Sequence, residues 1–234
     1  MNSTLEAVHL TKKYNGHPAL NDLNLSLKGG DIFCLLGQNG AGKTTTINLF
    51  LGFIAATEGK ALINGIEVKP GSTDTREFIA YIPEVVQLYG NLNGLENLDF
   101  FSRLAGFKYS SAELEHFLGT SGLQKEAHKR KLSTYSKGMR QKVGIAIALA
   151  KKAGVILMDE PTSGLDPRAS AEFTAICKQL AAEGKIIFMA THDIFNAVEV
   201  GSVIGIMKQG SLVHTVSTGN ITATELQQLY LETI

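Results

Sequence analysis

The chain is 234 residues long and 44% hydrophobic, and its 22 lysines and arginines are matched by 22 aspartates and glutamates, for a formal net charge of zero. That length suits one large domain, or one domain carrying a subdomain, with enough apolar content for a substantial core. The charge balance argues against a protein that grips nucleic acid through bulk charge, and no uninterrupted apolar run reaches the ~18 residues of a membrane-crossing helix. Met1 to Tyr14 is too polar for a secretory leader. Cys34 and Cys177 lie far apart in apolar segments without zinc spacing, and read as buried, unreactive thiols in a reducing cytoplasm.

The opening 30 residues read as β structure. Val8 to Leu10 leads into a turn at Lys12 to Gly16, and Leu20, Leu23, Leu25 and Leu27 are taken as the alternation of a half-buried strand. After a turn at Gly29-Gly30-Asp31 comes the apolar strand Ile32 to Leu36. Gly37-Gln38-Asn39-Gly40-Ala41-Gly42-Lys43-Thr44 follows it, and Lys43 to Leu51 reads as a helix. Strand, loop and helix together form the Gly-x-x-x-x-Gly-Lys-Ser/Thr phosphate loop. Glycines keep side chains out of such a loop, so successive backbone N–H groups close around phosphate oxygens. The helix N-terminus adds a field that favours an anion. Lys43 is expected to reach the β- and γ-phosphates, Thr44 to ligand Mg²⁺ through its hydroxyl, and Thr45 to join the nucleotide contacts.

Asn64-Gly65 between Ala61–Ile63 and Ile66–Val68 signals a tight hairpin. From about Leu92 to Ala150 the pattern turns helical, with Leu95, Leu98, Phe101 and Leu104 at helical spacing, a second helix opening at Ser111, and a third over Ser136 to Ala150. Lys125 to Lys131 is a basic run, read as a solvated helix face or loop. Strands and helices then alternate: Val155–Met158, helix Arg168–Ala182, Ile186–Met189, helix Ile194–Val200, Val203–Met207 and Leu212–Val216. Alternation of this kind implies an α/β fold with a parallel sheet covered by helices, the helical middle being an insertion. Thr222 to Ile234 reads as a short terminal helix, with no appended regulatory domain expected.

Val155 to Met158 ends in Asp159-Glu160, an apolar strand delivering two carboxylates. This is the Walker B pattern: Asp159 is placed for the Mg²⁺ shell, and Glu160 for the attacking water. Upstream lies Thr134-Tyr135-Ser136-Lys137-Gly138-Met139-Arg140-Gln141, and here the chain resembles the ATP-binding cassette (ABC) ATPases. Of their signature loop, Leu-Ser-Gly-Gly-Gln, Ser136 and Gly138 are kept, while Tyr135, Lys137 and Met139 differ. Ser163-Gly164-Leu165-Asp166 resembles the family's D-loop, His192 its switch histidine, and Tyr14 the aromatic residue that stacks on adenine. Where the family usually has a glutamine that contacts Mg²⁺, this chain has Glu84, whose carboxylate is still a competent oxygen ligand. These departures are similar to the bacterial exporter branch serving drugs, lipids, polysaccharides and antibiotics, and to the ATPase that supports copper-site maturation of nitrous oxide reductase.

The resemblance covers about Leu5 to Val216 and implies one ABC ATPase domain over residues 5–234. Within it, 5–83 and 151–220 form a P-loop core with an N-terminal antiparallel β subdomain, and 84–150 an inserted helical subdomain. It implies an ATPase that uses ATP and Mg²⁺, with Glu160, His192 and Lys43 catalytic. Two ATPase subunits, a homodimer or a heterodimer, would each complete the other's site through Ser136, Gly138 and Asp166. A separate integral membrane permease would hold the pair at the cytoplasmic face, docking a helix beside exposed Val86, Leu88 and Tyr89. A soluble DNA-repair or translation machine is disfavoured, because the chain has neither a second cassette nor a coiled-coil insertion nor basic excess. Retention of Lys43, Asp159, Glu160 and His192 disfavours a non-catalytic module.

Overall fold

A computed structural model of the chain describes residues 3–234; Met1 and Asn2 lie outside the described residues. Strands β1 (Thr4–Tyr14) and β2 (His17–Lys28) form a long antiparallel hairpin, followed by β3 (Ile32–Leu36) and helix α1 (Lys43–Phe50). Next come β4 (Glu58–Ile63), β5 (Ile66–Glu67) and β6 (Ile79–Ile82). The helical stretch holds α2 (Gly94–Leu104), α3 (Ser111–Thr120) and α4 (Lys137–Ala150). The chain then runs through β7 (Val155–Asp159), α5 (Pro167–Ala182), β8 (Ile186–Thr191), α6 (Ile194–Val200), β9 (Val203–Lys208), β10 (Ser211–Ser217) and α7 (Ala223–Thr233).

One sheet has the order β2-β1-β4-β5 and is antiparallel; the other has the order β10-β9-β3-β8-β7-β6. In the second, β9, β3, β8, β7 and β6 are parallel, and only β10 runs antiparallel, paired with β9. Strands β3 and β8 are buried at every position, as expected where both faces of a parallel sheet are covered. One side chain in two from these strands meets the antiparallel sheet and α1, where Phe188 stacks with Phe33 and meets Phe50 edge-on, both at centroid distances of 5.5 Å. The alternate side chains meet α4, α5 and α6, and Cys34 and Cys177 are both buried there. Burial pushes the Cys34 thiol up to about 12 and raises that of Cys177 as well, so neither is a thiolate at neutral pH. A third cluster, built on Leu98, Leu118, Leu132 and Val143, belongs to the helical stretch alone.

The Asn64-Gly65 hairpin forms as its sequence predicts, with Ile63 opposite Ile66 and φ of 52° and 76° at the two turn residues. Two readings need correction, the alternation of the β2 leucines and the exposure of Val86. The leucines of β2 do not alternate cleanly, because the hairpin carries bulges: His9 and Asp22 both take positive φ, and the His9 ring nitrogen Nδ1 lies 2.8 Å from an Asp22 carboxylate oxygen. The extra residue returns Leu23, three after Leu20, to the core face. α2 forms over the predicted series Leu95, Leu98, Phe101 and Leu104, which advances by three and so drifts about 60° around the helix per step. Leu98 is fully buried and Leu104 ends in solvent. Val86 is buried, packed over Gly144 of α4, whereas its neighbour Val85 is the exposed one, alongside Tyr89. The basic run Lys125 to Lys131 is mostly solvated, but it turns Ala127 and His128 inward, with His128 Nε2 3.0 Å from the Leu123 carbonyl oxygen.

Phe188 sits on the central strand, at the join of the two sheets. Phe188→Ala is expected to lower the unfolding free energy by about 3–5 kcal/mol, read as an earlier urea midpoint. Phe53→Ala, at a position 68% exposed, should leave that midpoint nearly unmoved.

Candidate functional site

The parallel register brings four strand ends to one edge. Leu36 of β3 lies beside Thr191 of β8, Asp159 of β7 beside Ala190, and Ile82 of β6 beside Met158. The segments that leave those ends are the phosphate loop, Glu160, His192 and the Pro83-Glu84 turn. In a sheet of this kind, the crevice beyond the carboxyl ends is where ligands bind.

The loop from Gly37 to Gly42 leads straight into α1, whose first turn carries no acidic side chain. Gly42 has φ 111°, and a Cβ there would come within 2.5 Å of the Ala19 carbonyl oxygen, so only glycine fits. Lys43 is 6% exposed; its ammonium donates to the Gly37 carbonyl at 2.6 Å and stands 3.7 Å from Glu160 Oε1. Glu160 Oε2 lies 2.8 Å from His192 Nδ1 and also accepts from the His192 backbone N–H at 3.3 Å. One carboxylate therefore bridges the phosphate-loop lysine and the histidine after β8. Glu160 holds φ +45°, a conformation that costs a side-chain-bearing residue about 1–3 kcal/mol. Its backbone N–H nonetheless donates to Ala190 at 2.9 Å, extending the β7–β8 ladder by one rung.

Thr44 Oγ1 donates to Asp159 Oδ2 at 3.1 Å, so the two expected Mg²⁺ ligands already touch. Burial, and after it the charges of Glu160 and Glu84, hold the Asp159 carboxyl above the usual carboxylate range, opposed by the Thr44 bond and by Lys43. Among the described residues, no group of three or more His, Cys, Asp or Glu side chains is arranged to hold a metal. A cation at Thr44 and Asp159 would draw its remaining ligands from phosphate oxygens and water. The surplus of carboxylate charge here fits a divalent cation.

A cleft of about 270 Å³ follows the loop and is lined by Gln38, Lys43, Thr44, Glu84, Asp159 and Glu160, with Asn39, Gly40, Gly42 and Thr45 also on its wall. Gln38, Asn39, Gly40 and Ala41 border a second opening, beside Met207 and Lys208. Tyr14 lines neither; it sits half-exposed at the tip of the β1–β2 hairpin, with the Lys12 ammonium 4.9 Å from its ring centroid. Ser136, Gly138 and Asp166 are brought together elsewhere, in a cleft of about 290 Å³ that also holds Arg130, Lys142 and Arg168. Ser136 caps α4, its hydroxyl accepting from the Met139 N–H at 3.3 Å, and Asp166 caps α5, accepting from the Ala169 N–H at 2.8 Å. Within one chain, then, the motif residues form two separate clefts.

Glu84 lines the phosphate-loop cleft, and its carboxylate is engaged by two side chains from elsewhere in the chain. Its Oε1 accepts from the Ser163 hydroxyl at 3.1 Å and stands 3.5 Å from the Lys137 ammonium. Gln141, 1% exposed, donates to the carbonyls of Pro83 at 3.3 Å and Glu84 at 3.1 Å, tying α4 to this turn. These contacts of Lys137, Gln141 and Ser163 join residues far apart in sequence, and no local pattern announces them. Tyr230 of α7 is buried, and burial, with the nearby Glu160 charge after it, raises its hydroxyl pKa.

Residues 20–163 match the family model described as ABC transporter. The bacitracin transport ATP-binding protein BcrA of Enterococcus faecalis is 35% identical over 94% of this chain and 71% of its own length. The linearmycin resistance ATP-binding protein LnrL of Bacillus subtilis is 31% identical over 89% of this chain and 68% of its own. Among solved structures, a dimeric bacterial ABC transporter cassette superposes with a TM-score of 0.79 at 28% identity, covering 92% of this chain and 98% of that one. A dimeric cassette in a post-hydrolysis state with ADP and Pi superposes with a TM-score of 0.80 at 26% identity, covering 92% and 98%. A strand-loop-helix phosphate site, a Glu–His pair at the neighbouring strand ends and an agreement that runs nearly the length of the chain have one reading in common: the chain belongs to the ABC transporter family, as its ATP-binding and ATP-hydrolysing subunit.

Proposed function

We propose that two cassettes pair head to tail around two Mg·ATP and power export through a separate membrane-spanning subunit. The observation that carries this reading is the Lys43–Glu160–His192 contact beside the phosphate loop. The backbone N–H groups of Gly37 to Gly42 and the Lys43 ammonium bind the β- and γ-phosphates. Thr44 and Asp159 hold Mg²⁺, with Glu84 within reach of the same cleft. The metal supplies charge neutralisation on the phosphate oxygens. Glu160 orients a water in line with the γ-phosphate and accepts its proton. His192, hydrogen-bonded to Glu160, keeps that carboxylate aimed and meets the γ-phosphate edge.

Tyr14, at the hairpin tip, stacks on the base. Ser136 and Gly138 offer the α4 N-terminus to the partner's γ-phosphate, with Asp166 crossing beside them. The separation of the two clefts within one chain supports this, since neither cleft alone surrounds a triphosphate. The proposal takes residues 5–234 as one cassette, with 84–150 as the helical subdomain that swings the second cleft toward the partner. The resistance and transport roles printed for the relatives support an exported antibiotic-like cargo.

The membrane subunit is proposed to dock on the apolar face between α2 and the turn after β6. Tyr89, Phe100 and Phe101 form a mutual aromatic cluster there, with centroids 5.0–6.1 Å apart, and Val85 and Leu104 are exposed beside it. Two grooves open along this face, one floored by Pro83, Val86 and Gly144. A contiguous exposed apolar patch of this kind is the form a protein docking site takes. Among the described residues no helix is long and apolar enough to cross a membrane, so this reading puts the cassette at the cytoplasmic face through its partner.

Glu160→Gln should bind Mg·ATP, hydrolyse it at least 100-fold more slowly, and sediment as a dimer only when nucleotide is present. Hydrolysis at the parental rate would remove Glu160 from the mechanism. Phe100→Asp, at a residue 41% exposed, should leave soluble ATPase activity intact and abolish recovery of the chain with its membrane subunit from detergent extracts. Undiminished co-purification would move the docking face elsewhere.

A further inference from the structure

Glu84, Lys137 and Ser163 lie on three different segments: the turn after β6, the first residue of α4, and the loop between Glu160 and α5. They meet at one carboxylate oxygen, Glu84 Oε1, at 3.1 Å from the Ser163 hydroxyl and 3.5 Å from the Lys137 ammonium. The Lys137 ammonium also passes over Gly164, 3.9 Å from where a Cβ would stand. The Glu84 and Lys137 side chains are 52% and 32% exposed, and an ion pair as open as that contributes little to stability. Its consequence lies in what each partner is kept from doing.

Glu84 lines the triphosphate cleft, where Asp159 and Glu160 already crowd the single buried lysine, Lys43. Lys137 sits between Ser136 and Gly138, the two residues that the head-to-tail reading aims at the partner's γ-phosphate, and it carries its charge on a long flexible stem. Gln141 ties the Pro83-Glu84 backbone to the same helix, so the main chain at Glu84 is held beside the helix that begins at Lys137 while the two side chains remain free to part.

We propose that Lys137 is a phosphate-binding residue acting across the dimer, and that Glu84 withholds it until Mg·ATP is seated. This rests on the head-to-tail reading above. While the pair is joined, Glu84 offsets the Lys137 charge and its own carboxylate is engaged by Ser163 and Lys137. When a divalent cation and triphosphate enter, the Glu84 carboxylate is drawn to the cation, and the Lys137 ammonium is released to meet the γ-phosphate held by the second subunit. Binding in one cleft thereby arms the other, which makes closure depend on metal and nucleotide together.

The two partners of this pair have opposite predicted effects on dimerisation, and that separates the proposal from a merely structural latch. In a Glu160→Gln background with Mg·ATP, sedimentation should show Lys137→Ala needing at least tenfold more protein to dimerise, while Lys137→Arg dimerises like the parent. Glu84→Gln should dimerise at lower protein concentration and need less Mg²⁺ to do so. Glu84→Gln/Lys137→Ala should behave as Lys137→Ala alone. Each variant is first checked for the parental circular dichroism spectrum and a cooperative melt; should Lys137→Ala fail that check, Lys137→Gln takes its place. If the neutral variant at Lys137 and Glu84→Gln shift dimerisation in the same direction, or the Lys137 variant shifts nothing, the assignment is overturned. If the Glu160→Gln parent stays monomeric at saturating Mg·ATP, the head-to-tail reading itself fails, and this proposal falls with it.

Discussion

One buried ammonium beside the Asp159 and Glu160 carboxylates is the constraint on which this molecule turns. Lys43 is packed beneath the phosphate loop, and Asp159, Glu160 and Glu84 share its cleft. Desolvation and the repulsion of neighbouring carboxylates make that arrangement costly, which is why the Asp159 carboxyl is held above its usual range. The cost is tolerated because the parallel sheet over-determines the positions. β7 delivers Asp159 and Glu160 from between two neighbouring strands, and the Glu160 N–H continues the ladder even as its φ turns positive. A divalent cation with a triphosphate is the ligand class that relieves this charge distribution, since it adds positive charge at the carboxylates and phosphate oxygens at the ammonium and the loop N–H groups.

A second constraint follows from chain geometry. The caps of α4 and α5 are each internally satisfied, Ser136 by the Met139 N–H and Asp166 by the Ala169 N–H. They open onto a cleft of their own, walled by basic side chains including Arg130, Lys142 and Arg168. Some of that charge is compensated, because Lys142 and Arg168 both pair with Glu172 at 2.6 Å and 3.1 Å. Both caps and the cations beside them are thus held by contacts within the chain. In the proposed dimer, a half-site held in this way would lose less conformational entropy on closure than one that had to order.

What the sequence made legible was whatever is contiguous. The phosphate loop, the apolar strand ending in Asp159-Glu160 and the Asn64-Gly65 turn each carry their physical reason within a few residues, and each forms as read. The parallel sheet followed from alternation, with β10 turning back as the one antiparallel strand. What was not legible depends on a partner element. Whether Val85 or Val86 faces inward is decided by Gly144 on α4, which leaves room for one of them. The return of Leu23 to the core depends on the paired bulges at His9 and Asp22, which no hydrophobic pattern records. The orientation of Glu84 depends on Ser163 and Lys137, and only the folded chain brings these together.

The departures from the family's usual motifs are therefore not independent. Glu84 in place of glutamine adds a negative charge at the triphosphate, and Lys137 within the signature loop adds a positive charge where the partner's phosphate would arrive. Taken singly, the first weakens an anion site and the second strengthens one. In the folded chain the two charges face each other at 3.5 Å, and Gln141 binds their backbones into one unit. While joined, the two charges offset each other in part, although Glu84 still adds to the negative charge felt by Asp159. A neutral glutamine opposite a neutral signature residue provides no such dependence, because neither would be withheld by the other. In the proposed dimer, a sensitivity of closure to the bound cation would therefore be a property of the two substitutions together, linked through α4, whose Lys137 and Gln141 both reach the Glu84 turn.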